Sequence, residues 1–312
     1  MLSDSGYATA LFGKWHLGYL EPFMPNAHGF DELFGFLDWS IDYYSHRTPT
    51  GLPGLYENTM PVEQEGYITD LFTERAAAFI DRHASESFFL MVAYNAALPP
   101  YQPPGRPSDI RTMNTWHEGT REDYIGVVEA LDRGIGQILD VLDRHDLAQD
   151  TLVIFSCDHG GEELARNAPL AYGFGTLWEG GIRVPCLLRW PSRLPAGATS
   201  SQVVSTMDLT LSTLVAAGVT LPEGRNLDGI DLIPILCGDE PVVERTLHWR
   251  FGPQRAVRRG PWKYLALGRN ELLFNLTDDI GERRDLSAQR PELVAELRAL
   301  QQNWEAEVTS QP

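Results

Sequence analysis

Two short stretches of this 312-residue chain carry side chains that could do chemistry. The first is Gly13-Lys14-Trp15-His16-Leu17-Gly18, directly after an apolar run. In an extended segment Lys14 and His16, two residues apart, project to one side, where a cation and an imidazole can hold an anionic group and exchange a proton with it. The second is Ser156-Cys157-Asp158-His159-Gly160-Gly161, at the C-terminal end of another apolar run. Open α/β sheets bind ligands at that end of their strands, and an adjacent carboxylate and imidazole are donors for a divalent metal. Gly160-Gly161 lets the backbone approach a ligand closely. Each stretch also has a plain structural reading, a surface lysine with a satisfied histidine in the first and a strand-ending turn in the second. Further on, Asn167-Ala168-Pro169-Leu170 and the glycines bracketing Trp178-Glu179 read as a tightly packed loop, either scaffold or the floor of a site.

Elements must position these residues. Residues 7–12 read as a short strand ending at Gly13, preceded by the tail of a helix that closes at Gly6. Residues 18–66, dense in Pro, Gly, Asp and aromatics without sustained period, read as a long structured loop. Ile68, Leu71, Phe72, Phe79 and Ile80 recur at helical spacing up to about His83, and residues 88–94 form an apolar run suited to a buried parallel strand. The pattern repeats with Tyr124, Val127, Leu131, Ile135, Ile138 and Leu142 on one helix face, then residues 151–156 as a second buried strand. Residues 184–190 make a third strand of the same sheet, and 206–217 a further helix. This alternation predicts an α/β fold with a mostly parallel sheet flanked by helices. After about Pro241 short strands separated by Gly, Pro and Asp predict a small antiparallel sheet, closed by a helix from Pro291 through Trp304. The expected division is an α/β domain over 1–240 and a C-terminal antiparallel subdomain with its helix over 241–312.

Composition excludes several functions. With 43 Asp+Glu against 25 Lys+Arg the formal net charge is −18. No Lys/Arg cluster exists to displace counterions from a phosphate backbone, so nucleic acid is set aside. Cys157, Cys186 and Cys237 encode neither a disulfide framework nor a CxxC zinc site. Cys157 and Cys186 lie in apolar strand contexts and are expected to be small buried hydrophobes, so neither is taken as a nucleophile. No apolar stretch approaches the ~18 residues that span a bilayer, and the first residues lack the basic and apolar regions of a signal peptide.

Read together, Ser5-Gly6-Tyr7-Ala8-Thr9-Ala10, Gly13 to Gly18, Gly29-Phe30-Asp31-Glu32, Val128-Glu129-Ala130-Leu131-Asp132, Asp158-His159-Gly160 and Gly180-Gly181-Ile182-Arg183-Val184-Pro185 resemble the sulfatase family of the alkaline-phosphatase-like superfamily. The resemblance runs through nearly the whole chain. It implies hydrolysis of sulfate esters or other small anionic substrates at a divalent metal, Ca²⁺ by family with Mn²⁺ or Mg²⁺ as alternatives, and a formylglycine nucleophile. By matching position Lys14 and His16 would be the catalytic residues holding sulfate and nucleophile, and Asp158 with His159 would supply part of the metal shell.

Departures accompany the resemblance. The family's paired metal-binding aspartates and its Cys/Ser-x-Pro-x-Arg motif belong upstream of the strand at residues 7–12, and no Cys here is followed by x-Pro-x-Arg, so no nucleophile is assigned. Leu98 stands where the family places a catalytic His, and Phe174 where it places Lys. One such anion contact is worth ~2.7 to 4 kcal/mol in a transition state. The expectation is a sulfatase-family protein that is inactive or strongly impaired as the chain stands. The alternatives are a catalytically dead homologue that binds an anion or a partner, and a phosphonate- or phosphodiester-hydrolysing relative. An upstream export signal would make the protein periplasmic or secreted. If an upstream segment adds a central strand, an unpaired parallel edge is expected beside residues 7–12.

Overall fold

Residues 1–107, 110–222, 224 and 227–310 are described by a computed structural model. Contacts divide them into two units, one formed by residues 1–152, 190–193 and 210–228, the other by 153–189, 194–209 and 229–312.

In the first unit a 3-10 turn (Ser3–Ser5) closes on Gly6 and leads into β1 (Ala8–Lys14). β1 pairs in parallel with β2 (Glu32–Phe36) on one side and β5 (Phe88–Ala93) on the other. β3 (Leu55–Glu57) and β4 (Met60–Pro61) extend the sheet antiparallel beyond β2, giving the order β4-β3-β2-β1-β5. Ala10 and Phe12 of β1 pack into the aromatic core under α1 (Ile68–Arg82), while Leu11 packs on the opposite face with Met24, Leu33 and Leu37. A strand covered on both faces reads as an unbroken apolar run, which is why this one was legible. The apolar stripe of α1 meets that of α2 (Arg121–Arg144), whose N-terminus carries a capping box in which Thr120 and Asp123 satisfy each other's backbone N–H groups.

Three expectations for this unit are corrected. Residues 18–66 contain three strands, the first of which, β2, is buried beside β1. Its five residues, interrupted by Gly35, are too few to show a period. Nor is the edge beside residues 7–12 unpaired, because both sides of β1 are occupied. The sheet edge falls at β5, whose residues are half-buried, with Met91 44% exposed, where a fully buried strand was expected.

In the second unit β6 (Val153–Ser156) pairs antiparallel with β7 (Cys186–Arg189) in a two-stranded ladder of its own. This corrects the assignment of both to one parallel sheet. Apolar runs give no strand direction, and the connection between these two is a loop and one short helical turn, α3 (Glu179–Ile182). Cys186 is exposed rather than a buried hydrophobe. Beyond α4 (Thr206–Ala216) and α5 (Ile233–Cys237), β8 (Thr246–Phe251), β9 (Gln254–Arg259), β10 (Trp262–Leu267) and β11 (Asn270–Asn275) form the expected antiparallel meander. α6 (Pro291–Ser310) covers one face through Val257, Tyr264, Leu273, Val294 and Leu297. The alternating positions Ala256, Leu265 and Phe274 face the segment around Leu177, Trp178 and Ile182.

Candidate functional site

Lys14 and His16 belong to the first unit. β1 ends at Lys14, and Trp15 closes the ladder by donating its N–H to Phe36 O at 2.9 Å. The chain then leaves the extended conformation. His16 has φ 55, so the alternation that would put the two side chains on one side does not reach it. His16 is exposed and Lys14 half-buried. The intervening Trp15 is pinned, its indole N–H donating to Phe23 O at 2.7 Å and its ring lying against Phe30. Gly13 is required because a Cβ there would come within 3.2 Å of Ala93 Cα and closer still to Ala93 O.

The start of β1 explains two matched motifs at once. Thr9, 1% exposed, has its hydroxyl 2.8 Å from both Gly29 O and Asp31 Oδ2, with one proton to share between them, and donates its N–H to the same carboxylate at 2.9 Å. The Asp31 N–H returns to Thr9 O at 2.9 Å. Spacing gave no hint of this clasp, because its halves lie 22 residues apart.

Leu98 is half-buried in the same unit. Its N–H donates to Asn95 O at 2.7 Å, and its carbonyl accepts from Tyr43 Oη at 3.1 Å. An apolar side chain therefore stands on a well-tied backbone at the position where the resemblance places a histidine.

Asp158 and His159 belong to the second unit and are adjacent in space as in sequence. His159 Nδ1 lies 2.9 Å from Gly160 O, and Nε2 lies 3.4 Å from Asp158 Oδ2. The loop is clamped from two sides. Gly160 N–H donates to Gly181 O at 2.9 Å. The Asn167 amide accepts from Gly161 N–H and donates to Gly161 O and Tyr172 O. Phe174, 52% exposed, lies against the His159 ring with centroids 4.3 Å apart and planes tilted by 42°. Burial and the neighbouring Asp158 push the Cys157 thiol up, so it is not an activated nucleophile.

The donor set does not fit a divalent metal by itself. Among the described residues no group of three or more His, Cys, Asp or Glu converges, and Asp158 with His159 supplies two donors where a hard cation takes six or so.

Sequence reasoning missed an ionic cluster behind this loop. Lys263 on β10 is 0% exposed, and its Nζ lies 2.9 Å from Glu179 Oε1 and 2.8 Å from Glu282 Oε1. Glu179 Oε2 accepts from Arg183 Nε at 2.6 Å, and Glu179 N–H donates to Glu282 Oε2 at 2.6 Å. Burial pushes Glu179 up, but Lys263 and Arg183 outweigh it and hold the carboxyl below its usual range. Burial dominates at Glu282 and raises it. The available signal was the alternation Trp262-Lys263-Tyr264-Leu265, which puts Lys263 on the face of Leu265.

Comparisons with known proteins agree with this anatomy. Residues 1–219 match the sequence model of the family described as Sulfatase. The chain is 32% identical over 282 residues to N-acetylgalactosamine-6-sulfatase of Canis lupus familiaris, covering 84% of this chain and 52% of that protein. It is 30% identical to arylsulfatase J of Mus musculus, covering 95% of this chain and 60% of that one. It thus spans roughly half of the curated relatives' length. Among solved structures, Ps i-CgsB in complex with k-i-k-neocarrahexaose superposes with TM-score 0.86 at 31% identity, over 97% of this chain and 72% of that one. A family match over more than two thirds of the chain, on a fold with the expected strands and C-terminal sheet, means that this chain belongs to the sulfatase family.

Proposed function

We propose that this chain binds carbohydrate sulfate esters and hydrolyses them, as it stands, far more slowly than a sulfatase with the full set of polar contacts. The observation that carries the reading is Phe174, an apolar ring packed against His159 where the family resemblance calls for a cation. Two relatives support the substrate class, one named for N-acetylgalactosamine-6-sulfate chemistry and one solved with a neocarrahexaose.

The proposed roles follow from residue chemistry. By the family resemblance Lys14 contributes a positive charge for an anionic group and His16 an imidazole that can exchange a proton. Asp158 accepts the His159 N–H, and the His159 ring sits between Gly160 O and the Asp158 carboxylate. Asp158 and His159 supply only two metal donors, so no step is routed through a metal in this chain. Leu98 and Phe174 each stand where the resemblance calls for a polar contact, and one such contact is worth about 2.7–4 kcal/mol in a transition state, or two to three orders of magnitude in rate.

The test is calorimetric titration of the full chain with galactosamine 6-sulfate, paired with ion-chromatographic detection of released sulfate. Binding without release supports the proposal. Release at rates typical of enzymes, near 10 s⁻¹, refutes impairment, and hydrolysis of a phosphodiester but not of the sulfate ester refutes the substrate class.

A further inference from the structure

We infer that Lys263 is a positioning residue, a buried cation on the C-terminal sheet that fixes the Asp158–His159 loop through α3. The path is continuous and lies within one unit. Lys263 Nζ holds Glu179 Oε1 and faces Glu282 Oε1. The Glu282 carboxylate in turn accepts the Glu179 N–H, so the first residue of α3 is held by both side chain and backbone. α3 carries Gly180 and Gly181. Gly180 N–H donates to Ala171 O at 2.8 Å, and Gly181 O accepts the Gly160 N–H at 2.9 Å. The fit leaves no slack, since a Cβ on Gly160 would lie 2.7 Å from Gly180 C and 3.0 Å from Gly181 Cα. Any shift of α3 is therefore passed to Gly160 and to the His159 ring beside it.

Stability alone is a poor account of this cluster. Replacing a buried ion network with apolar side chains of similar volume is often neutral or stabilising. Leu265 and Phe274 already occupy neighbouring positions on that sheet face, where a methionine at 263 would pack equally well. What an apolar residue cannot do is grip one carboxylate oxygen of Glu179 and set where α3 begins. Lys263 holds both carboxylates, Glu282 Oε1 at 2.8 Å and Glu179 Oε1 at 2.9 Å, and Glu179 is the one that belongs to α3.

The inference rests on the proposed role of the Asp158–His159 loop for its meaning, but its test does not. Backbone amide exchange is measured on the full chain for the wild type, K263M, and the triple variant K263M/E179M/E282M, which removes the unpaired charges should K263M fail to fold. L297A, a cavity on the α6 face of the same sheet, is the control for general loss of stability. In K263M or the triple variant, exchange at Gly160 and Gly181 should accelerate at least about tenfold relative to the Leu265 amide, the factor implied by losing one charge-assisted hydrogen bond. L297A should leave that ratio unchanged. Equal protection of Gly160 in the wild type and the charge-free variant overturns the inference. Titration of the His159 ring resonance with inorganic sulfate is the second arm. A wild type that shows no response refutes the sulfate reading of the loop, while the exchange result still decides the role of Lys263.

Discussion

Gly160→Ala is the sharpest test of how the Asp158–His159 loop is held. The added Cβ would sit 2.7 Å from Gly180 C, 3.0 Å from Gly181 Cα and closer still to Gly180 O, all backbone atoms with no rotamer to give way. Ordinary carbon contacts begin near 3.5 Å, so one backbone must retreat by about an ångström. Overpacking of this kind costs about 1–3 kcal/mol. The retreat also breaks the Gly160 N–H to Gly181 O bond, worth about 0.5–1.5 kcal/mol net. The sum, about 1.5–4.5 kcal/mol, corresponds to a fall of roughly 3–18 °C in the melting temperature of the unit that carries the loop. Differential scanning calorimetry reads it. The matched control is Gly197→Ala, where φ is +70 and nothing lies within 4 Å, so only the left-handed backbone is penalised, by about 1–2 kcal/mol. If Gly160→Ala melts no lower than Gly197→Ala, the loop has slack and the packing argument fails.

The remaining predictions concern other parts of the fold. Glu179→Gln removes the carboxylate that Lys263 and Arg183 share, and breaking a buried pair from one side costs about 3–5 kcal/mol at neutral pH. Because Glu179 is held below its unfolded value against burial, its contribution is present above that value and lost as pH falls through the folded one. The gap between wild type and variant in urea melts should therefore shrink from pH 7 towards pH 3, and a constant gap would refute the charge assignment. Asp31→Asn weakens the Thr9 clasp that joins β1 to the residues before β2, and should cost about 1–3 kcal/mol in denaturant titrations. Phe174→Lys removes the ring from His159 and restores a cation, and isothermal titration should show inorganic sulfate binding tightened by about tenfold or more at low salt. Unchanged affinity would place Phe174 outside the anion site.

Much of the local structure follows from sequence periodicity alone. α1 and α2 show their apolar stripes at helical spacing, α2 announces its start with Thr120 and Asp123, and β8 to β11 alternate between two faces separated by turn residues. The family resemblance was equally legible, because its motifs are contiguous runs. Thr9 with Asp31, and Lys263 with Glu179 and Glu282, were not legible, because each depends on a contact between residues tens of positions apart that no local pattern records. Strand direction falls in the same class. The runs at β6 and β7 look like members of a parallel sheet, and only their hydrogen-bond register shows them antiparallel. Sequence therefore determines the long helices and the strands with a sustained pattern, since these depend on neighbours within a turn or a pleat, while short strands such as β2 to β4 escape it. Tertiary pairing alone decides which lysine is buried and which carboxylate it orients, because desolvation and ion pairing depend on what the rest of the chain brings alongside.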